Sequence, residues 1–202
     1  MKGEMGLVHL LKGNPIIAAV RETQMLDTAL KQNVGAIFML CGEISDLKGI
    51  VSKCKAASKP VFIHLELVSG LSGDQAGMKY LAREVQPDGI ITTKAHQVTL
   101  GVKEGLLTIQ RLFALDSLAV KTGVSTAKSA KPDAVEVLPA VVPRAIAMVV
   151  SQLNCPVIAG GLIGTTEDIR AALAAGAIAV SLSKSQLWSH SVLESRAYQK
   201  TR

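Results

Sequence analysis

Aromatic residues are scarce in this chain: three Phe, two Tyr and one Trp among 202 residues. So few rings exclude a surface built from rows of stacking platforms. Cysteine is scarce as well. Cys41, Cys54 and Cys155 are odd in number, widely spaced and without a CxxC or Cys/His cluster, which excludes a disulfide framework and a tetrahedral zinc site. A reducing cytoplasm fits that usage. Long apolar runs are missing: the stretch Ala171–Ser183 has thirteen uncharged residues, against about 20 for a membrane span. The opening segment carries Lys2, Glu4 and Lys12 and lacks the apolar region of a signal peptide. No Walker loop, dinucleotide GxGxxG, HExxH or GxSxG occurs.

What is present describes a globular protein. Apolar residues make up 49% and charged residues 19%, which excludes a disordered chain. The length implies one domain over 1–202, with 1–13 as an N-terminal extension and 189–202 as a C-terminal helix or tail. The net charge of +6 admits an acidic partner, nucleic acid or a phosphorylated ligand, and equally describes a solubilising surface. Residues 1–101 carry eleven Lys/Arg against nine Asp/Glu and residues 102–202 eleven against seven, so there is no basic arm.

Eight short apolar, β-branched runs recur at Pro15–Val20, Ala36–Leu40, Pro60–Leu65, Gly89–Thr93, Leu106–Phe113, Ala134–Pro139, Pro156–Gly161 and Ala177–Ser183, with starts 17–29 residues apart. That interval holds one strand, one helix and two loops. Intervening segments keep a helical period: Met25, Leu26, Ala29 and Leu30; Ile44, Leu47, Val51 and Cys54; Ala145, Met148, Val149 and Leu153. Asp116 and the run Thr165–Asp168 are placed to cap helices, and Gly35 and Gly176 to end them in a left-handed turn. A weak internal echo runs through the chain. Strands one, three and seven begin with Asn14-Pro15, Lys59-Pro60 and Cys155-Pro156, and strands four and six share Pro87-Asp88-Gly89 and Pro132-Asp133-Ala134. Apolar strands alternating with helices imply parallel pairing buried on both faces. The expected fold is α/β, a compact (β/α)8 TIM barrel with short loops. An open doubly wound sheet shares the alternation, but eight units favour closure, which leaves no edges.

In such a barrel the C-terminal strand ends carry function. Strand seven ends in Gly160-Gly161-Leu162 ahead of a helix start, and strand eight in Ser181-Leu182-Ser183-Lys184. Paired glycines admit close backbone approach and a helix start offers N–H groups to an anion, so these two ends form a candidate phosphate cup; tight turns and capping would use the same residues. On strand three, alternation puts Phe62, His64 and Glu66 on one face, as a polar pocket wall, an acid–base pair or an interior hydrogen bond. Arg111 on strand five is costly unless paired or facing an anion, and Glu136 on strand six is its expected partner, in a structural ion pair or in a ligand cup. Lys94, after strand four, suits phosphate or carboxylate binding, Schiff-base chemistry if buried, or solvent alone. Cys41 reads as a small buried residue, and His9, His96 and His190 are isolated.

At these residues the chain resembles the glycerol-3-phosphate-responsive antiterminators, regulators of bacterial glycerol uptake operons. The resemblance runs from about Asn14 to Trp188. It is carried by Ile16-Ile17-Ala18-Ala19-Val20-Arg21, by His64-Leu65-Glu66-Leu67 with Gly70, and by Gly89-Ile90-Ile91-Thr92-Thr93-Lys94. Gln110-Arg111-Leu112-Phe113 with Leu115-Asp116, Glu136-Val137-Leu138-Pro139 and Ala159-Gly160-Gly161-Leu162-Ile163 complete it. The Gln-Arg-Leu-Phe and His-x-acid-Leu segments discriminate best. Two positions depart from the family: Glu66 stands where Asp is usual, which changes reach, and Ala140 where Gly is usual, which limits backbone freedom.

The resemblance implies a barrel without catalysis or cofactor that senses glycerol 3-phosphate and acts on leader mRNA so that transcription passes a terminator. For that effector the candidate ligand-binding set is His64, Glu66, Lys94, Arg111, Glu136, Gly160, Gly161, Leu162, Ser181 and Ser183. Backbone N–H groups near Gly161, Leu162, Ser181 and Ser183 would take the phosphate. Lys94 and Arg111 would neutralise charge, and His64, Glu66 and Glu136 would meet the hydroxyls. A homo-oligomer is compatible with such a sensor; a metal or a membrane is not expected. The competing reading is a small phosphate-binding barrel enzyme, an isomerase, synthase or lyase for a phosphorylated glycerol or sugar, using Lys94, Glu136 or His64. A third is a metabolite sensor with a protein partner. Candidate RNA contacts are Lys48, Lys53, Lys55 and Lys59 around the second helix, and the basic end Arg196, Lys200 and Arg202; both also read as solvated faces.

Overall fold

The computed structural model describes residues 6–11 and 13–189. The basic end Arg196, Lys200 and Arg202 lies outside the described residues, as do Tyr198 and His190. Eight strands pair in parallel: β1 Ile16–Val20, β2 Ala36–Met39, β3 Val61–His64, β4 Gly89–Thr92, β5 Leu107–Phe113, β6 Ala134–Leu138, β7 Val157–Gly160 and β8 Ala179–Leu182. They follow sequence order, and β8 returns to β1 to close a barrel. This is the (β/α)8 architecture, and every strand falls inside its expected run. Helices α1 Gly6–Leu10, α2 Leu26–Leu30, α3 Leu47–Ala56, α4 Gln75–Tyr80, α5 Ala95–Lys103, α6 Ser117–Ala130, α7 Pro143–Val150 and α8 Thr166–Ala174 complete it. Ile44 and Leu153, expected on helix faces, lie in the flanking loops.

The two-residue period of the strands divides the core. Inward side chains, among them Ile17, Phe38, Phe62, Ile91, Ile109 and Ile158, fill the barrel, with Phe38 and Phe62 edge-to-face at 5.6 Å. Outward ones, such as Ile16, Ile37, Ile63, Ile90 and Val135, pack in a second cluster with residues of the helices. Leu7 on α1 and Leu11 just after it belong to the interior cluster. Part of the expected N-terminal extension therefore plugs the barrel.

The internal echo has a physical basis. Proline lacks an N–H and suits the first position of a strand, where its carbonyl still accepts. Pro15, Pro60 and Pro156 accept N–H groups from Val180, Ile37 and Val135 at 2.8, 2.8 and 3.0 Å, each on a neighbouring strand. Asp88 and Asp133 are likewise equivalent. Asp88 Oδ2 accepts the Val61 N–H and Asp133 Oδ2 the Thr108 N–H, both at 2.8 Å. Gly176 has the expected positive φ, +102°. Gly35 does not; it is needed because a Cβ there would collide with the carbonyl oxygen of Asn14.

Candidate anion-binding site at the barrel mouth

Two residues beyond the apolar interior layer, the same strand faces turn polar. Ile109 leads to Arg111, Ala134 to Glu136, Ile158 to Gly160, Ala179 to Ser181 and Phe62 to His64. Arg111 Nε donates to Glu136 Oε2 at 2.7 Å, with the carboxylate side chain wholly buried and Arg111 9% exposed. Ser181 Oγ donates to the other carboxylate oxygen, Glu136 Oε1. Gly160 makes room for this: a Cβ there would sit 2.5 Å from Glu136 Oε1 and 2.6 Å from Ser181 Oγ. With Nε committed to Glu136, the Arg111 Nη groups have no protein partner among the described residues.

These groups border a cavity of about 460 Å³, lined by Ala19, Arg21, Leu40, Leu67, Arg111, Glu136, Leu138, Gly161, Leu162, Ile163, Ser181, Leu182 and Ser183. Its charged side chains are two guanidinium groups and one carboxylate, so the cavity favours an anion. Gly161 and Leu162 are successive left-handed residues, φ +81° and +61°. Glycine adopts that region freely, whereas Leu162 is strained there and stands 77% exposed at the rim. Arg21 was not among the candidates from sequence. Its signal is the same two-residue step, Ile17, Ala19, Arg21, on the inward face of β1.

The start of α8 is not free for a ligand. Asp168 Oδ2 accepts the N–H groups of Gly164 and Thr165, both at 2.9 Å, and Thr165 Oγ1 accepts that of Asp168 at 3.2 Å. This capping box, led by the Gly164 N–H, holds the Asp168 carboxyl below its usual range. Lys184 Nζ donates to the Gly164 carbonyl at 2.7 Å and does not line the cavity. Lys94 is exposed at the N-cap of α5 and does not line it either.

His64 and Glu66 form a separate cluster on the β3–β4 side. Strand β3 ends at His64 and Glu66 occupies a 3₁₀ turn, Leu65–Leu67, so strand alternation does not reach it. Its side chain nonetheless turns back. Glu66 Oε1 accepts from Thr92 Oγ1 at 2.6 Å, Thr93 N at 3.1 Å and Thr93 Oγ1 at 3.2 Å. His64 Nδ1 lies 3.2 Å from Glu66 Oε2, off the line of a hydrogen bond, and the ring is 3% exposed. Burial acts to raise the Glu66 carboxyl, but the His64 ring, the Thr92 hydroxyl and a backbone N–H outweigh it and hold it at about 2. Ala140 has no positive φ, so the absent glycine costs nothing there; its N–H donates to Gly160 O at 2.7 Å.

Cys41 is half-buried rather than buried, with Sγ 3.6 Å from the Val20 carbonyl; burial, then the Glu22 carboxylate, push its thiol up. Three of the four lysines on and just after α3 are engaged: Lys48 with Glu84 at 2.8 Å, Lys53 with Asp27 at 3.3 Å and Lys59 with the Val34 carbonyl at 2.9 Å. Among the described residues, no three His, Cys, Asp or Glu converge on a metal site, and no helix is long and apolar enough to cross a membrane.

Residues 16–188 match the family described as glycerol-3-phosphate responsive antiterminator. The chain belongs to that family. The matched span starts at the first residue of β1, so it takes in the whole antiterminator barrel and leaves out the α1 plug. The crystal structure of the glycerol uptake operon antiterminator regulatory protein from Listeria monocytogenes str. 4b F2365 superposes with a TM-score of 0.84 at 36% identity, over 88% of this chain and 96% of that one. A glycerol uptake operon antiterminator-related protein from Thermotoga maritima MSB8 gives 0.77 at 31% identity, over 87% and 98%. The Escherichia coli (strain K12) protein YgcP is 36% identical over 184 residues, 91% of this antiterminator chain and 96% of its own.

Proposed function

We propose that this chain binds glycerol 3-phosphate in the mouth cavity and, once loaded, binds the leader mRNA of a glycerol uptake operon so that transcription passes a terminator. Arg111 carries the reading. It is a nearly buried guanidinium held by Glu136, with its Nη groups unpartnered among the described residues, at the wall of a cavity that also contains Arg21. A phosphate dianion satisfies both cations. The backbone at Gly161 and Leu162 and the Ser183 end of β8 complete the phosphate cup, while Glu136 and Ser181, deeper in the cavity, face the glycerol hydroxyls. His64 and Glu66 stand apart from the cavity on the β3–β4 side, and Lys94 adds positive field at the rim. Turnover is not part of this reading: both oxygens of Glu136 are already bonded and His64 does not line the cavity.

A sensor requires the ligand to bind the RNA-competent state more tightly than the other. A tenfold effect on RNA affinity needs about 1.4 kcal/mol of coupling. Closure of the loops after β7 and β8 around the phosphate supplies a route to it. The test is filter binding of a glycerol-operon leader transcript at fixed salt, with and without glycerol 3-phosphate, against a scrambled RNA. A ligand-dependent, sequence-selective rise is expected. Absence of binding in both conditions by folded protein sinks the reading, and consumption of glycerol 3-phosphate would replace it with an enzyme.

A further inference from the structure

The exposed apolar side chains are unevenly distributed. Among the described residues, six of the ten large ones lie at or just beyond the mouth ends of β5, β6 and β7: Phe113, Leu115, Leu118, Val141, Val142 and Leu162. Leu115, Leu118 and Leu162 are 83, 71 and 77% exposed, and all six lie at or just beyond the ends of neighbouring strands. Phe113 is 47% exposed, whereas Phe38, Phe62 and Trp188 are buried. It stands two residues beyond Arg111, on the same face of the same strand.

The charge around the patch selects its partner. Lys94, at the end of β4, and Arg144, in the first turn of α7, are exposed and in no ion pair among the described residues. The acids of this rim are occupied: Asp116 caps α6 through the Ala119 N–H at 2.7 Å, Asp168 caps α8, and Glu136 holds Arg111. Single-stranded RNA offers phosphates to the cations and flat base faces to the apolar side chains. Two of the three lysines on α3, Lys48 and Lys53, are spent on acidic neighbours instead.

We propose that RNA docks on the β5–β7 rim of the mouth, with a base stacked on Phe113 and phosphates on Arg144 and Lys94. This rests on the RNA-binding reading above and adds where that RNA lies. Ligand and RNA then share one strand: Arg111 holds the former and Phe113 the latter. The test is fluorescence polarisation of a labelled glycerol-operon leader transcript with the full chain in saturating glycerol 3-phosphate. Phe113→Ala weakens RNA binding about 5- to 150-fold, the range of one lost stack, and Phe113→Tyr restores it. Arg144→Ala lowers the salt slope by about 1. Lys53→Ala/Lys55→Ala on α3 binds as wild type. Calorimetric glycerol 3-phosphate affinity and melting temperature stay unchanged in Phe113→Ala. Mouth variants that bind RNA like the wild type overturn the placement, and more so if the α3 pair loses binding. A rim variant that loses only self-association in sedimentation gives the patch to a second copy and overturns it too. Failure of the wild type itself to bind RNA takes down both this placement and the reading on which it stands.

Discussion

Arg111 and Glu136 can be separated into a stability role and a ligand role. Arg111→Ala leaves a buried carboxylate without its cation, which costs about 3–5 kcal/mol. Replacing both, as Arg111→Met with Glu136→Met, recovers most of that loss in urea titration while calorimetry still finds no glycerol 3-phosphate binding. Recovered binding in the double variant would remove Arg111 from the ligand site. Glu66 sets a pH dependence. Its folded value near 2 lies below the ordinary 4.5, so its contribution is complete above the unfolded value and is lost as pH falls from about 5 towards 2. Melting temperatures of Glu66→Gln across pH 2–6 should therefore fall less steeply than those of the wild type. Arg111, Glu136, Gly160 and Ser181 were legible in sequence because each lies one two-residue step beyond an apolar interior residue. Arg21 obeys the same step, hidden because Ala19 between it and Ile17 is small. Lys94 and Glu66 sit just past their strands, at a helix cap and in a 3₁₀ turn, where alternation no longer fixes direction.

Repeated elements make repeated predictions. Asp88 and Asp133 each hold an N–H at the start of the preceding strand, Val61 on β3 and Thr108 on β5, so Asp88→Ala and Asp133→Ala should each lose about 1–3 kcal/mol in chemical denaturation. Their effects should add in the double variant, since the two carboxylates hold different strands, β3 and β5. A large difference between them would show that the echo is not functional repetition. At α8, Asp168→Ala removes the carboxylate half of the capping box and leaves the backbone N–H on Thr165 Oγ1; it should cost about 1 kcal/mol by the same measurement. The strand runs and the Asp116 and Thr165 caps could be read from sequence because local chemistry decides them. That the cap leaves no N–H there for a ligand could not, since a cap and an anion site at a helix start share the same residues. Gly35 shows a similar limit: sequence marks a position that excludes a Cβ, but close approach to Asn14, rather than backbone hand, is the reason.

Closure governs the whole molecule. Each strand has two neighbours, and β8 finds its second in β1, through the Val180 N–H and the Pro15 carbonyl. A chain stopped after α7 would bare the edges of β1 and β6, and its soluble fraction on expression should fall steeply against the full chain. Alternation with helices announced closure because eight equal units leave no strand to serve as an edge. The plug did not announce itself, since five helical residues with Leu7 and Leu11 carry too little pattern to be told from a loose extension. The ring also imposes an order in time. The nascent chain makes β1 first and its partner β8 last, roughly ten to thirty seconds later at cellular elongation rates. Through that interval the half-built sheet keeps two bare strands within reach of chaperones and of its neighbours on the same message, so this member of an antiterminator family is itself most exposed while still being translated.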